Sequence, residues 1–534
     1  MQISEAYYQH DNRAAELLGG SFLELSDRKA KSDLASAKPI SNEVLALLLE
    51  QNERALSGPK GSDLKQKLSS PDVQFVISGQ QTGLFLGPLF TLYKALGAVK
   101  YAELFEAETG KPTVPLFWIQ SEDHDYDEIR SAPTLLPDGT ISNLALPEEK
   151  PADARKSMSA IVLDGSAAML IETVADKFSS FPESKWFLNL AAKGYRPGST
   201  LSAAFTSLLS DTLSELGLLV FNPCCGKAKQ LTQELYQRAF EQHGQITRLL
   251  QEQGNRIEQL GFEQQVHIRD NSPLFFFHEG SASGPRYRLQ NGGDSWNLVG
   301  TDKNISNAEL GQLLASSPDR FSSSALLRPL VQDYLFPTVA YIGGDAEVNY
   351  LAQLTTLYEF LEIPKPLAIP RPKFVVIEEK IARLLEKTGL QVEDLYLPEP
   401  ELLSKAATSP EAQYTDPELL FLEVEKSVGQ LSDRLAEELM RADKTLETPV
   451  RKTQEKMLHQ LGVLKQRYIK AVGANDTLLQ DRLRKLRTAI SPEGHVQERY
   501  LSAVYFLCRY GTGFIDTLLE AAEPFATTTK VVNL

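Results

Sequence analysis

The run SEDHDYDE, from Ser121 to Glu128, combines side chains that could carry acid–base or metal chemistry. Asp123, His124 and Asp125 form its centre, and they could bind Mg²⁺, accept a proton or hold an amine. In an extended segment Asp123 and Asp125 would share one side, with His124 on the other. Neighbouring carboxylates raise one another's pKa unless a cation offsets their repulsion. A solvated acidic loop is the alternative interpretation.

A second polar segment, SGQQTG, follows an apolar, β-branched run. Its glycines permit close backbone approach, and amides at the start of a following helix could hold a phosphate or a carboxylate. The segment is neither a Walker A motif, which ends in Gly-Lys-Ser/Thr, nor GxGxxG. A tight strand-to-helix turn with solvated glutamines is the alternative interpretation. The candidate binding residues of this segment are Ser78, Gly79, Gln80, Gln81, Thr82 and Gly83.

A third turn, YIGGD, again precedes a helical pattern. Capping of that helix would explain Asp345 without any ligand. Arg328 and Arg371 each lie beside a proline next to a strand-like segment. Either guanidinium could bind a substrate carboxylate in a bidentate manner, and either could equally form an internal ion pair.

The apolar pattern around these segments predicts the scaffold that positions them. Val73 to Ile77 predicts a buried strand, an apolar-periodic helix follows, and Val114 to Ile119 predicts a second strand. The order strand, loop, helix, strand, loop is typical of a parallel sheet, in which both loops lie at the same edge. The sequence therefore predicts an α/β fold with a ligand site at that edge.

Composition limits the classes of partner. The chain has 534 residues and a net charge of −15, which disfavours nucleic acid and anionic membrane surfaces. The N-terminal residues lack the basic-then-apolar pattern of a secretory signal, and no apolar run approaches the roughly 18 residues that span a bilayer. Cys224, Cys225 and Cys508 cannot form a disulfide framework or a spaced zinc site. We expect a cytoplasmic protein whose cysteines are buried or incidental.

The pattern divides the chain into three parts. Residues 1–390 predict the α/β core, with insertions near 131–198 and 264–325, the second rich in antiparallel strand patterns. Residues 391–490 predict a linker and an antiparallel coiled coil, because apolar residues recur at steps of three, four and seven. The turn of that pair is expected near Thr445 to Thr448. Residues 491–534 predict a helical segment that packs back on the core or the coiled coil.

Four segments resemble the bacillithiol biosynthesis cysteine-adding enzymes: SGQQTGLFLGPLFTLYKA, PLFWIQSEDHDYDEI, LLRPLVQDYLFPTVAYIGG and the coiled-coil tail. The resemblance spans nearly the whole chain in order. It implies a Rossmann-like, nucleotidylyltransferase-type core and a coiled coil that supports a homodimer. It also implies ligation of cysteine, through its carboxyl group, to the amino group of glucosaminyl-malate. The further site-lining positions that it implies are Trp118, Tyr341, Gly343 and Gly344.

Two positions depart from related patterns. Adenylating enzymes with similar cores carry an HIGH-type element after the first strand, whereas Phe85 to Pro88 contain no histidine. The turn from Asn222 to Cys225 lacks the aspartate expected of family members. The first departure leaves phosphate stabilisation by imidazoles without support. The second leaves any role of the turn from Asn222 to Cys225 without support.

Ligation implies a source of free energy, since an amide does not form spontaneously from a free carboxylate in water. ATP with Mg²⁺ is the expected activator, through either an adenylate or an acyl phosphate. Asp123, Asp125 or His124 could accept the amine proton, and Arg328 or Arg371 could hold malyl carboxylates. Two other functions stay open: a non-catalytic coiled-coil assembly protein, and a metal-dependent hydrolase built on the acidic run.

Overall fold

The computed structural model describes residues 1–268, 273–406 and 417–534. The chain forms two compact units, and the change from the first to the second falls at Val375, ahead of the boundary predicted at residue 390. The first unit comprises Met1–Pro137, Ser142–Phe374 and Leu501–Lys530, and the second comprises Asp138–Ile141, Val375–Tyr500 and Val531–Leu534.

The strands form two five-stranded sheets and two smaller pairs among the described residues. In chain order they are β1 (Gln74–Gln81), β2 (Thr113–Gln120), β3 (Ser131–Leu135), β4 (Ile141–Ala145), β5 (Leu219–Phe221), β6 (Phe275–His278), β7 (Arg286–Asn291), β8 (Ser295–Leu298), β9 (Asn304–Ser306), β10 (Phe321–Ser323), β11 (Thr338–Gly343), β12 (Leu367–Pro370), β13 (Phe374–Ile377) and β14 (Lys530–Asn533).

The helices range from single turns to the long pair of the second unit. In chain order they are α1 (Ile3–Tyr8), α2 (Asn12–Leu18), α3 (Leu25–Ser36), α4 (Asn42–Gln51), α5 (Gly61–Leu68), α6 (Phe90–Thr109), α7 (Tyr126–Ile129), α8 (Gly165–Lys177), α9 (Ser184–Gly194), α10 (Leu201–Thr212), α11 (Gly226–Glu241), α12 (His243–Gln259), α13 (Asn307–Ser316), α14 (Arg328–Leu335), α15 (Asp345–Gln353), α16 (Thr355–Phe360), α17 (Glu379–Thr388), α18 (Glu399–Ala406), α19 (Pro417–Ala442), α20 (Glu447–Asn475), α21 (Thr477–Ile490), α22 (Gln497–Tyr500), α23 (Val504–Tyr510) and α24 (Thr512–Ala521).

The central sheet of the first unit has the order β12-β11-β1-β2-β5, and all its neighbouring strands are parallel. The apolar run in β1 is buried on both faces, as in other parallel sheets covered by helices. Helix α6 forms the crossover between β1 and β2, so the segments that follow both strands lie at the same edge. The predicted α/β architecture is confirmed.

Strand β1 continues further than its sequence predicts. It pairs with β2 from Gln74 opposite Thr113 as far as Gln81 opposite Gln120, so SGQQ belongs to the sheet. A 3₁₀ turn then separates the strand from helix α6. The prediction that the strand ends before SGQQTG, and that this segment is the loop ahead of the helix, is therefore wrong for SGQQ, because pairing with β2 overrides the turn-forming residues.

The first half of helix α6 is buried without interruption from Thr91 to Val99, the pattern of a helix enclosed within a large core. It nevertheless contains Lys94, whose side chain is 3% exposed. No helix in the described part of the chain has the length and apolar character needed to cross a bilayer. Because Lys94 is buried, its charge needs partners inside the protein.

The second sheet has the order β10-β6-β7-β8-β9 and is antiparallel throughout. It lies within the predicted insertion near residues 264–325 and confirms the strand patterns expected there. Part of that insertion, residues 269–272, lies outside the described residues. Strand β6 lies between β7 and β10 in this sheet, with Arg286 opposite His278 and Ser322 opposite Phe276.

In the second unit, α19 and α20 form the predicted antiparallel helix pair. Glu418 pairs with Lys465 at 2.6 Å, and Asp433 pairs with Arg451 at 2.5 Å. Residue numbers therefore increase along α19 in the direction in which they decrease along α20, as in an antiparallel pair. A 3₁₀ turn at Lys444–Leu446 joins the helices, within about a residue of the predicted turn. Residues 407–416 of the predicted linker lie outside the described residues.

The C-terminal segment is helical only in part. Helices α23 and α24 belong to the first unit, where the ring of Phe506 stacks on Phe514 at 4.9 Å. The last residues form strand β14, which pairs with β13. The prediction of a wholly helical segment over 491–534 is wrong there, because the β-branched pair in KVVN favours a strand.

Gly79 tests the close contact between β1 and β2. A Cβ at this position would lie 2.7 Å from the carbonyl oxygen of Trp118 and 3.1 Å from its Cβ. We expect Gly79→Ala to lower the free energy of unfolding by about 1–3 kcal/mol through overpacking. Urea unfolding of the intact chain measures this change. Gly513→Ala in α24, where no heavy atom lies within 4 Å, is the control, and equal losses in both variants would contradict the prediction.

Candidate active site

The first part of the site is built around Lys94, which projects from α6 into the end of the central sheet. Its ammonium group donates to the carbonyl oxygen of Gly79 at 2.9 Å and to Oε1 of Gln80 at 2.9 Å, and forms an ion pair with Glu347. These three partners match the three N–H donors of an ammonium. Burial lowers the pKa of Lys94 to about 8, although the charge of Glu347 raises it.

Gln80 and Gln81 connect Lys94 to the acidic run through hydrogen bonds. Because Oε1 of Gln80 accepts from Lys94, its Nε2 faces Oε1 of Gln81, at 3.4 Å. Gln81 Nε2 then donates to Asp123 Oδ2 at 2.7 Å and to Glu128 Oε2 at 2.9 Å. The orientation of both amides follows from a cation at one end and carboxylates at the other. The glutamines of SGQQTG thus join the other segments of the site.

The acidic run is not extended. Asp123 Oδ1 accepts from the backbone amide of His124 at 2.7 Å, and Asp125 caps α7 by accepting from the amide of Glu128 at 3.3 Å. Tyr126 turns inwards and donates to a backbone carbonyl. The expected alternation of Asp123 and Asp125 against His124 is therefore wrong, because a turn and a capped helix satisfy the backbone amides instead.

Repulsion from neighbouring carboxylates does not set the pKa of Asp123. Burial raises the pKa of Asp123, but contacts with His124 and Gln81 and the charge of Arg286 lower it more, to well below its usual range. For Asp123 the exception for a neighbouring cation applies, because cations and hydrogen-bond donors lie close to it and offset the repulsion.

Glu122 is a site residue that the sequence interpretation missed. It is buried, it forms an ion pair with Lys229 of α11, and it accepts from the amide of Ser323 at 3.0 Å and from the Ser323 hydroxyl. Burial raises the pKa of Glu122, but Lys229 and Ser323 lower it below its ordinary value. Glu122 lies just after β2, and Lys229 lies in the helix after β5. Residues that follow parallel strands lie at the same edge of the sheet, so the sequence could have placed Glu122 and Lys229 near the site.

Arg286, at the start of β7, reaches this loop from the antiparallel sheet. Its Nε donates to Ser322 Oγ at 2.9 Å, its Nη2 to Ser323 O at 2.7 Å, and its Nη1 to His124 Nδ1 at 2.9 Å. The guanidinium lies 3.7 Å from the ring centre of Phe276. No spacing in the sequence indicated that the insertion contributes a cation to the candidate site.

At the YIGGD turn, the anion bound at the start of α15 is a carboxylate of the protein, that of Glu347. Glu347 accepts from the amide of Gly344 at 2.8 Å and from the hydroxyl of Tyr341 at 2.7 Å. Arg328 lies 3.9 Å from the same carboxylate and donates to Tyr350 OH at 2.6 Å. Among the two interpretations of Arg328, these contacts favour the internal ion pair.

Asp345 does not cap α15. Gly344 is the N-cap residue, while Asp345 is the first residue of the helix and accepts from Lys373 at 2.9 Å and from Tyr8 OH at 2.9 Å. Arg371 is buried, donates to the carbonyl of Pro372 at 3.0 Å and lies 5.3 Å from the ring centre of Phe90. The capping prediction for Asp345 is wrong because Gly344 takes the N-cap position, and Glu347 accepts from the Gly344 amide.

Several other predicted residues serve the fold at this edge. Ser78 donates to the carbonyl of Ile342 at 2.7 Å, and Trp118 is buried with its ring 5.3 Å from that of Phe221. A Cβ on Gly83 would lie 2.8 Å from Gly87 Cα, so this glycine allows a tight turn. The hydroxyl of Thr82 is buried and has no hydrogen-bond partner within the described ranges.

The cysteines do not form a reactive centre. Cys225 caps α11, with its Sγ accepting from the amide of Ala228 at 3.5 Å. Burial and the charge of Glu122 raise the pKa of Cys224, which disfavours the thiolate. Cys508 is buried in α23. These positions agree with the expectation that the thiols are buried or incidental.

The acidic run does not build a metal cage. No group of three or more His, Cys, Asp or Glu side chains that could hold a metal occurs in residues 1–268, 273–406 and 417–534. The oxygens of Asp123 already accept from Gln81 and from backbone amides. Asp123 and Asp125 therefore do not fit a resident Mg²⁺, although a Mg²⁺ that arrives bound to phosphates needs only one or two protein carboxylates.

The Lys94–Glu347 pair gives a direct test of this network. We expect Lys94→Met to lower the free energy of unfolding by about 3–5 kcal/mol, because it leaves Glu347 buried without its main cation. The matched control combines Lys94→Met with Glu347→Gln, and we expect this double variant to regain part of the loss. Urea unfolding of Lys94→Met, of Glu347→Gln and of the double variant completes the cycle. Additive effects of the two substitutions would show that the pair is not coupled.

Comparison with known proteins agrees with this architecture. Two family models match, described as "Bacillithiol biosynthesis BshC, N-terminal Rossmann-like domain" over residues 1–372 and "Bacillithiol biosynthesis BshC, C-terminal coiled-coil domain" over residues 374–534. The chain is 29% identical to the "Putative cysteine ligase BshC" of Salinibacter ruber, covering 97% of this chain and 94% of the relative. It is 33% identical to the protein of the same name from Koribacter versatilis, covering 84% and 81%. Together these matches place the chain in the BshC family of bacillithiol biosynthesis.

Proposed function

We propose that this chain joins the carboxyl group of cysteine to the amino group of glucosaminyl-malate, the last step of a bacillithiol-type thiol synthesis. The observation that carries the proposal is the match to this ligase family over both domains. The relatives are named as cysteine ligases, and ligation is the activity that we assign to this chain. Its few cysteines fit a reducing compartment, so we place the reaction in the cytoplasm.

Activation of the cysteine carboxyl group requires a co-substrate in this proposal. We assign that role to ATP, which enters as its Mg²⁺ complex, because the carboxylates of residues 1–268, 273–406 and 417–534 do not form a resident metal site. Transfer of a nucleotidyl group would release pyrophosphate and later AMP, whereas transfer of a phosphoryl group would release ADP and later phosphate. The nucleotide product therefore identifies the intermediate.

The carboxylates of the acidic run take different roles in this mechanism. Asp123 is held as an anion by its donors, so it orients Gln81 and the loop rather than accepting a proton. Asp125 is exposed, and we assign it the proton that the attacking amine loses. Malyl carboxylates are not assigned to Arg328, since Glu347 and Tyr350 already occupy its guanidinium.

The activity test uses the purified full chain with cysteine, glucosaminyl-malate, ATP and Mg²⁺. We expect a product whose mass equals the sum of cysteine and glucosaminyl-malate less one water, formed together with either ADP or AMP. Omission of each substrate in turn is the control. Absence of the product from a chain that still binds nucleotide would count against the proposed ligation.

The role of Asp125 can be tested within one loop. We expect Asp125→Asn to lower kcat by about 100-fold or more, as removal of a general base usually does. Asp127→Asn is the matched control, because Asp127 pairs with Arg130 at the surface and is 73% exposed. We expect this control to keep wild-type kcat, and equal kcat in both variants would remove Asp125 from the mechanism.

The helix pair of the second unit supports a further part of the proposal, a homodimer. Large apolar side chains lie exposed along it, including Leu431 at 67%, Leu435 at 53% and Leu464 at 54%. Exposed leucines at such spacing are costly in water and are typical of a surface that packs against another helix. We assign a second copy of this chain as the partner.

We expect Leu431→Lys combined with Leu435→Lys to convert the dimer to a monomer, because two charges would enter the apolar interface. Light scattering after size-exclusion chromatography measures the mass. Glu437→Lys, at an exposed position on the same helix, controls for the change of charge. A wild-type chain that elutes as a monomer at micromolar concentration would contradict the proposal.

A further inference from the structure

We infer that His124 acts on the substrate as a hydrogen-bond donor through Nε2, and that Arg286 is the positioning residue that fixes this tautomer. The assignment of a substrate rests on the proposed ligation, whereas the tautomer rests on the geometry alone. It replaces the proton-accepting role that the sequence left open for His124. It also gives a task in the site to a residue of the inserted sheet.

The contact between the two side chains determines the tautomer. Arg286 Nη1 lies 2.9 Å from His124 Nδ1. A guanidinium has only donors, so Nδ1 must accept, and in the neutral ring the proton then sits on Nε2. The competing partner of Nδ1 is Asp123 Oδ1, which lies 3.6 Å away, beyond hydrogen-bonding distance. The shorter contact therefore decides the assignment.

Arg286 is itself held too firmly to turn away from the ring. Its side chain is 6% exposed, and its other nitrogens donate to Ser322 Oγ and to Ser323 O. Its guanidinium stacks over Phe276, whose ring centre also lies 6.1 Å from that of His124. One aromatic ring thus lies beside both partners, and the donor aimed at Nδ1 has a fixed direction.

The opposite nitrogen of the imidazole is available to a ligand. The His124 side chain is 38% exposed, and no described residue provides a hydrogen-bond partner for Nε2. An N–H at this position suits an anionic oxygen, either of a carboxylate or of a phosphate. A ring that already carries its proton on the exposed nitrogen cannot accept one there, so the geometry assigns donation rather than general-base catalysis.

The tautomer is tested by nitrogen NMR of the full chain labelled with ¹⁵N-histidine. The signals lost in His124→Gln identify residue 124. We expect protonated Nε2 and unprotonated Nδ1 in the wild type. Arg286→Met removes the donor, so both tautomers should form and the two nitrogen signals should move towards each other, while Arg286→Lys should keep the wild-type pattern. A proton on Nδ1 in the wild type, or an unchanged pattern in Arg286→Met, would overturn the inference.

The role in turnover is tested at His124 itself, where folding of the inserted sheet is not at risk. A glutamine can accept from Arg286 with Oε1 and donate outwards with Nε2, whereas leucine can do neither. We expect His124→Gln to keep kcat within about tenfold of the wild type and His124→Leu to lose about 100-fold or more, as for loss of one transition-state donor. Equal losses in both variants would overturn the donor role.

Binding measurements distinguish this inference from the proposed ligation and identify the anion. Cysteine, glucosaminyl-malate and MgATP are each titrated against the labelled protein while the His124 Nε2 signal is followed. A shift with cysteine or glucosaminyl-malate indicates a carboxylate, and a shift with MgATP alone indicates a phosphate. If none of the three moves the signal, the donor role falls, even where the ligation occurs. If the signal moves but no amide forms, the ligation falls and the donor role stands.

Discussion

The buried ammonium of Lys94 is the interaction on which the edge of the central sheet depends. A charge in this position is tolerated only if each of its donors has a partner, since burial of an unpaired ion costs several kcal/mol. Its three acceptors are the carbonyl oxygen of Gly79, the side-chain amide oxygen of Gln80 and the carboxylate of Glu347. The end of β1 and the start of α15 are thereby tied to one point. Any displacement of either element would leave a charge without a partner.

The same rule explains how an acidic chain builds a site that is locally balanced. The protein carries a net charge of −15, yet each buried carboxylate at this edge faces a cation. Glu347 faces Lys94, and Glu122 faces Lys229. Because those charges neutralise each other inside the protein, they are not available to a ligand. The polar groups left towards solvent include His124 and Asp125.

The sequence predicted the sheet and the edge at which the polar segments gather, because apolar runs and helical periodicity are local properties. It did not predict how long β1 is, since pairing with β2 draws SGQQ into the sheet. It also did not predict Arg286, which lies 162 residues from His124 and reaches it only through an antiparallel sheet in an insertion. A lysine within the apolar pattern FTLYKALGAV was a visible signal for Lys94. Its partners became evident only once α6 was packed on the sheet.

The insertion therefore has more than a connecting role. Strands β7 and β10 present Arg286 and Ser323 to the loop after β2, where they contact His124 and Glu122. Without these contacts the loop would keep its bonds to Gln81 and the pairing of Glu122 with Lys229, but it would lose the donor that orients its histidine and the Ser323 donors to its buried glutamate. Groups that are fixed before a substrate arrives need no rearrangement as charge develops, which is the main advantage of a preorganised polar site over water. The loop after β2 gains that property from a sheet that the α/β core alone does not contain.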